Sequence, residues 1–221
     1  MSGERALVVL SGGQDSTTCL WWALDRFSRD QVEALTFDYG QRHRVELDCA
    51  SEISRLAGVS HTVLPINTFE AIGGNALTDP GVEVADTGGS QLPVTFVPGR
   101  NLVFLTFAAA WAWPRAIRHI VTGVAQTDYS GYPDCRQNTI DSLAETLELG
   151  MEQRFTIHTP LMNLSKKETV LLAEQLGAMD AMALTHTCYQ GERPPCGTCQ
   201  ACLLRARGFA QAGIADPLVS P

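Results

Sequence analysis

The run Leu10-Ser11-Gly12-Gly13-Gln14-Asp15-Ser16-Thr17-Thr18 constrains this chain more than any other stretch. The apolar segment Ala6-Leu7-Val8-Val9-Leu10 before it predicts a buried strand. Cys19-Leu20-Trp21-Trp22-Ala23-Leu24 after it predicts a helix. A strand that turns through two glycines into a hydroxyl-rich helix start is a phosphate cradle. The glycines let the backbone approach an anion, the first helical N–H groups have no internal partner, and the hydroxyls add donors. No Lys follows the second Gly, and the spacing is not G-x-G-x-x-G, so neither of those two nucleotide motifs applies.

The pattern that follows repeats strand and helix. Val32 to Asp38 reads as a second strand, and Tyr39-Gly40-Gln41-Arg42-His43-Arg44 as a polar loop at its carboxyl end. Val45, Cys49, Ile53 and Leu56 form one face of a helix that Gly58 ends, and His61 to Leu64 is a third strand. His119 to Gly123 and Phe155 to His158 supply the fourth and fifth. Short β-α-β connections predict an α/β fold with a doubly wound, parallel, five-stranded sheet, and 221 residues suit a single domain over 1–221. Ligands on such sheets bind at the carboxyl ends of the strands.

Between these elements lie segments of other character. Residues 67–92 hold three glycine-rich breaks with few periodic apolar residues, and read as a lid. Leu102 to Trp113 is an apolar helix, ended at Pro114, for the core or a subunit contact. Residues 127–136 pack Asp128, Tyr129, Tyr132, Asp134 and Arg136 into one loop, as a recognition loop does. Ser165-Lys166-Lys167-Glu168 is a capping box. It puts Lys166 in a first turn, where a cation is disfavoured unless an anion shares the site.

Cys188, Cys196, Cys199 and Cys202 fall within fifteen residues, with two C-x2-C intervals. Four thiolates suit tetrahedral zinc with no open position, hence a structural ion; an iron–sulfur cluster uses the same ligand count. The zinc-binding segment spans about 186–213 and reads as a loop with almost no core of its own. Clustered thiols favour a reducing cytoplasm, with no signal peptide and no run long enough for a membrane. A net charge of −8 argues against nucleic acid as a partner.

The hexapeptide Ser11-Gly12-Gly13-Gln14-Asp15-Ser16 resembles the PP-loop of the ATP pyrophosphatases, whose fold is adenine nucleotide alpha hydrolase-like. With Asp38 to His43, Pro98-Gly99-Arg100-Asn101, Asp128 to Arg136 and the four cysteines in order, the chain resembles the 7-cyano-7-deazaguanine synthases of queuosine biosynthesis, which make preQ0. That resemblance covers Ala6 to about Pro217. It implies a homodimeric, cytoplasmic C–N ligase with one structural zinc per subunit and Mg²⁺ carried with ATP. Its substrates would be ATP, ammonia and 7-carboxy-7-deazaguanine. It implies ATP contacts at Leu10, Ser11, Gly12, Gly13, Gln14, Asp15, Ser16, Thr17, Thr18, Cys19 and Leu20, and catalytic roles for Asp15, Ser16 and Lys166. Substrate contacts are expected at Tyr39, Gln41, Arg100, Asn101, Asp128, Tyr129, Asp134 and Arg136, with Asp128 or Asp134 reading the guanine-like edge. A different amidating or thiolating PP-loop enzyme and a zinc-ribbon interaction module are the rival readings.

Overall fold

The computed structural model describes residues 3–41, 44–66, 68–72, 96–126 and 132–219. The expected lid over 67–92, and Asp128 and Tyr129, lie mostly or wholly outside these residues.

Five parallel strands run in the order β3-β2-β1-β4-β5: β1 (Ala6–Val9), β2 (Val32–Asp38), β3 (Ser60–Pro65), β4 (His119–Val121) and β5 (Thr156–His158). Alternation along β1 explains why the sheet is covered on both sides. Leu7 packs with Leu35, Phe37, Leu105 and Ile120 on one face. Ala6, Val8 and Leu10 pack with Leu20, Ala34, Ile53 and Val121 on the other. Side chains two apart share a face, so a strand apolar at every position must be buried twice.

Helices α1 (Gln14–Arg26) and α2 (Val45–Ala57) cover the second face. The first is covered by α4 (Arg100–Ala112) and α5 (Gln137–Met151), and α3 (Thr68–Ile72) sends Phe69 into the same cluster. Helix α4 begins two residues earlier than its apolar run suggests, which places Arg100 and Asn101 in its first turn. Pro114 sits in a 3₁₀ turn, Trp113–Arg115, directly after the helix. Of its aromatic residues, Phe104 stacks on Phe37 at 4.5 Å, whereas Phe107 and Trp113 are exposed.

Helix α6 (Lys166–Gln175) starts with both halves of the capping box formed: the Ser165 hydroxyl accepts from the Glu168 N–H and the Glu168 carboxylate accepts from the Ser165 N–H. A short α7 (Met179–Met182) and then α8 (Gln200–Ala212) follow. The last helix corrects the expectation of a loop without a core. It packs along α6 and buries Ala201, Cys202, Arg205, Gly208 and Phe209. Its buried face includes Arg205 and Gly208, so its hydrophobic pattern is weak. Buried Arg205 is satisfied by Asp216 at 2.7 Å and by the Thr185 hydroxyl at 2.7 Å, a pairing that spacing alone does not announce.

Candidate active site

From β1 the chain passes through β2 and β3 in one direction across the sheet, and later resumes at β4 on the opposite side of β1. The crevice at this switch point, at the carboxyl ends of β1, β2 and β4, holds a pocket. The first residues of α1, α2, α4 and α6 all line it, through Gln14, Glu46, Arg100 and Lys166. Four helix N-termini therefore present positive dipole ends to one cavity, an environment suited to a polyanion.

The cradle is built with little freedom. Gly12 has φ +83°, and a Cβ there would stand 2.3 Å from the carbonyl oxygen of Glu46 and 3.0 Å from the N of Ala50. Only glycine lets the loop lie against the start of α2. Gly123, just beyond β4, lies against α1: a Cβ would stand 3.0 Å from the Ser16 N. The carbonyl of Gly12 accepts from the His186 N–H at 2.9 Å, tying the loop to the C-terminal segment. Ser16 Oγ accepts from the Ser11 N–H at 3.1 Å and donates to the Gly13 carbonyl at 3.2 Å. The wall of the pocket comprises Leu10, Ser11, Gly13, Gln14, Asp15 and Ser16. Thr17 and Thr18 turn inward to bond the carbonyls of Gly13 and Gln14, and Cys19 and Leu20 are fully buried in the core. The expected ATP stretch thus touches the cavity only in its first half.

Lys166 meets the cradle directly: its Nζ donates to Asp15 Oδ2 at 2.6 Å. The electrostatic misfit of a lysine at a helix start is relieved by a carboxylate from the facing helix. The other oxygen, Asp15 Oδ1, is buried with no protein partner, as is Gln14 Nε2. An orphaned buried carboxylate oxygen beside a phosphate cradle fits a hard, oxygen-seeking cation such as Mg²⁺.

The far end of the pocket is aromatic. Arg100 Nη1 donates to the Tyr39 hydroxyl at 3.3 Å, and Tyr39, Phe104 and Tyr132 line the wall around it. Burial drives the Tyr39 pKa up, against the pull of Arg100. Burial alone would lower the Arg100 pKa, but Tyr39, Tyr132, Asp134 and Cys135 around it raise it overall. Gln41 lines the pocket while its Oε1 accepts from the Tyr39 N–H at 2.9 Å, so it also closes its own loop. The Asn101 side-chain amide donates to Cys135 Sγ at 3.3 Å.

Two expected substrate residues are not brought to the cavity. Asp134 is buried in the 3₁₀ turn Pro133–Cys135, where its carboxylate accepts from the Asn101 N–H at 3.0 Å and so satisfies the open start of α4. Arg136 is exposed at the entry to α5. Residues not expected at a ligand line the pocket as well: Glu46, Thr122, Gly123, Tyr132 and Cys135 from the expected recognition loop, and the stretch 186–189. Glu46 had a detectable signal, an acid in the first turn of the helix that follows the Tyr39 loop. The 186–189 stretch was marked only as metal-binding, through Cys188; long-range packing alone places it in the pocket wall. Burial pushes the Glu46 carboxyl up to about 7, with Arg100 pulling the other way.

The sulfurs of Cys188, Cys196, Cys199 and Cys202 lie within 4.8 Å of one another, so the cluster can hold a metal ion. Tetrahedral zinc with ~2.3 Å bonds places its sulfurs roughly 3.8 Å apart, and Cys196 and Cys202 stand at 3.9 Å. Backbone N–H groups of Tyr189, Cys196 and Cys199 already point at sulfur atoms, as a thiolate cluster requires. Such bonds, the Cys199 N–H foremost, bring the Cys196 pKa down to about 6.

Fold and crevice together define a PP-loop α/β protein with an anion cradle at the switch point. A 4-thiouridine synthetase, solved with RNA and bound ATP, shares this fold at a TM-score of 0.52 and 17% identity, covering 95% of this chain and 50% of that one. The chain belongs to the QueC family, described as queuosine biosynthesis protein QueC, whose profile matches residues 5–213. It is 68% identical over 220 residues to the 7-cyano-7-deazaguanine synthase of Chromobacterium violaceum, covering 99% of this chain and 94% of that one. It is also 68% identical to the synthase of the same name from Laribacter hongkongensis, at 98% and 95% coverage.

Proposed function

We propose that this protein converts 7-carboxy-7-deazaguanine, with ammonia and ATP, to the nitrile 7-cyano-7-deazaguanine. The observation that carries this reading is the 68% identity to two synthases of that name over almost the whole chain. The pocket agrees with it chemically, since an anion cradle and an aromatic, Arg100-bearing end open on one cavity.

A carboxylate is a poor electrophile because oxide is a poor leaving group. Attack of the substrate carboxylate on the α-phosphorus of ATP forms the acyl adenylate and expels pyrophosphate. Ammonia displaces AMP and leaves the amide. The amide oxygen attacks a second ATP, and loss of AMP and a proton from the adenylated imidate forms the C≡N bond. Each activation puts charge on phosphorus and on departing pyrophosphate.

This chain meets that charge with preorganised donors rather than a covalent nucleophile. Ser11 and Ser16 hydroxyls and the first N–H groups of α1 bind the pyrophosphate. Lys166 neutralises it from the start of α6, exchanging Asp15 for phosphate oxygen. Asp15 Oδ1 would hold Mg²⁺, which supplies charge neutralisation across the phosphates when bound. Arg100 and Tyr39 orient the base, Gln41 closes the Tyr39 loop, and Asn101 ties the start of α4 to Cys135 beside it. Asp128 and Tyr129 retain the expected role in base contact. The cysteine cluster holds zinc as a structural ion, one per subunit of a cytoplasmic homodimer that needs no nucleic acid.

The test is to incubate the protein with Mg-ATP, ammonium and the carboxy-deazaguanine and weigh the products. Nitrile and AMP are expected. No nitrile rejects the function, and nitrile accompanied by ADP without AMP rejects adenylation.

A further inference from the structure

Two flat heterocycles must share this pocket, the adenine of ATP and the deazaguanine, and the protein must keep them in their own subsites. Their edges differ in a way a carboxylate can read. A guanine-like edge offers a carbonyl acceptor, then a ring N–H and an exocyclic amine as adjacent donors. An adenine edge offers an amine donor beside a ring acceptor.

Among the described residues, the acidic side chains lining the pocket are Asp15 and Glu46. Asp15 already holds Lys166 at 2.6 Å and faces the phosphate cradle. Asp134 stands behind the wall, occupied by the Asn101 N–H. Glu46 has no hydrogen-bond or ion-pair partner among the described residues, although Arg100 acts on it electrostatically. It stands at the aromatic end, where Tyr39 and Phe104 offer ring faces. Its backbone is fixed relative to the cradle, because its carbonyl lies against Gly12.

We propose that Glu46 is the specificity residue for the base: its carboxylate accepts from the ring N–H and the exocyclic amine of the deazaguanine, while Arg100 donates to the neighbouring carbonyl. This deepens the proposed function and rests on it for the identity of the base. An acceptor beside a donor, in that order, matches a guanine-like edge and mismatches adenine. A half-buried carboxylate that lacks a partner is costly, and two N–H donors on the ligand remove that cost. Burial raises the Glu46 pKa, and two N–H donors on the ligand act in the opposite direction by favouring the carboxylate.

The experiment compares 7-carboxy-7-deazaguanine with its 2-desamino analogue, at saturating ATP, in wild type, Glu46→Gln and Glu46→Ala. The readouts are kcat/KM for nitrile formation and the dissociation constant of each base. Wild type should prefer the 2-amino substrate by roughly 10²-fold. In Glu46→Ala the preference should fall at least about 10-fold through KM on the 2-amino substrate, with the KM for ATP unchanged. Glu46→Gln, which preserves volume, should lose part of the preference and serves if the alanine variant does not fold. An unchanged preference in a folded variant overturns the proposal, as does a rise in the KM for ATP instead. A fall in kcat alone, with the preference intact, also overturns it in favour of a proton-transfer role. Failure of wild type to make nitrile would sink the function, while the ratio of dissociation constants would still decide the role of Glu46.

Discussion

Gly12 and Glu46 illustrate how single residues set this site. Gly12 is positioned twice over, by a φ of +83° and by contact with the Glu46 carbonyl. Gly12→Ala should lose about 3 kcal/mol of stability in urea unfolding, the sum of left-handed backbone strain and overpacking. Gly99 has φ +71°, but a Cβ there would meet nothing within 4 Å. Gly99→Ala should therefore cost only about 1 kcal/mol. The motif announces a glycine at residue 12, but not its partner, because α2 is thirty-odd residues away in sequence. For Glu46, the folded protein holds a proton between the ordinary value of 4.5 and about 7 that the unfolded chain has released. Stability contributed by this group is thus present below that window and is lost as pH rises through it. Around it stand Arg100 from α4, Tyr39 from the β2 loop, and Cys49 on its own helix. Glu46→Gln should be more stable than wild type at pH 8, by about 1–3 kcal/mol, and the gap should close by pH 4.5 in thermal melts.

At the scale of elements, local signals were legible wherever chemistry is local. The five strands, the Gly58 stop after α2, and the capping box at Ser165 all follow from neighbouring residues. Ser165→Ala should cost about 1 kcal/mol in urea unfolding, because the Glu168 N–H loses the hydroxyl that accepts it while the Ser165 N–H keeps the Glu168 carboxylate. Lys166→Met, one residue on, should leave stability within about 1 kcal/mol and lower kcat at least about 10²-fold, read as AMP release. If both variants lose equally in both measurements, the separation of cap from charge is wrong. Helix α8 was not legible, since its buried face carries Arg205 and Gly208 in place of a continuous apolar stripe. Helix α4 starts two residues before its apolar run: Arg100 and Asn101 are polar, and Asp134 from another segment accepts from the Asn101 N–H in that first turn.

At the scale of the whole molecule, the C-terminal segment joins the cysteine cluster and the candidate site into one unit. His186 bonds Gly12, Thr187 and Tyr189 line the pocket, and Cys188 belongs to both the pocket wall and the cluster. Removing the proposed metal should release residues 186–202 in hydrogen exchange and lower turnover at least about 10-fold, while the amides of β1 and β2 stay protected. Unchanged turnover in metal-free protein would separate the cluster from the site. No helix among the described residues is long and apolar enough to cross a membrane. The sequence by itself determined the strand–helix alternation, the two-glycine turn into α1 and the four clustered thiols, because each depends on residues within a few positions of one another. Only the tertiary structure decided which acids face the cavity. It withdrew Asp134 into a helix start, paired Asp15 with a lysine 151 residues away, and left Glu46 at the aromatic end. A carboxylate is the same group in every one of these places; what it does depends on which donor the fold brings within 3 Å, and that is not written in its neighbours along the chain.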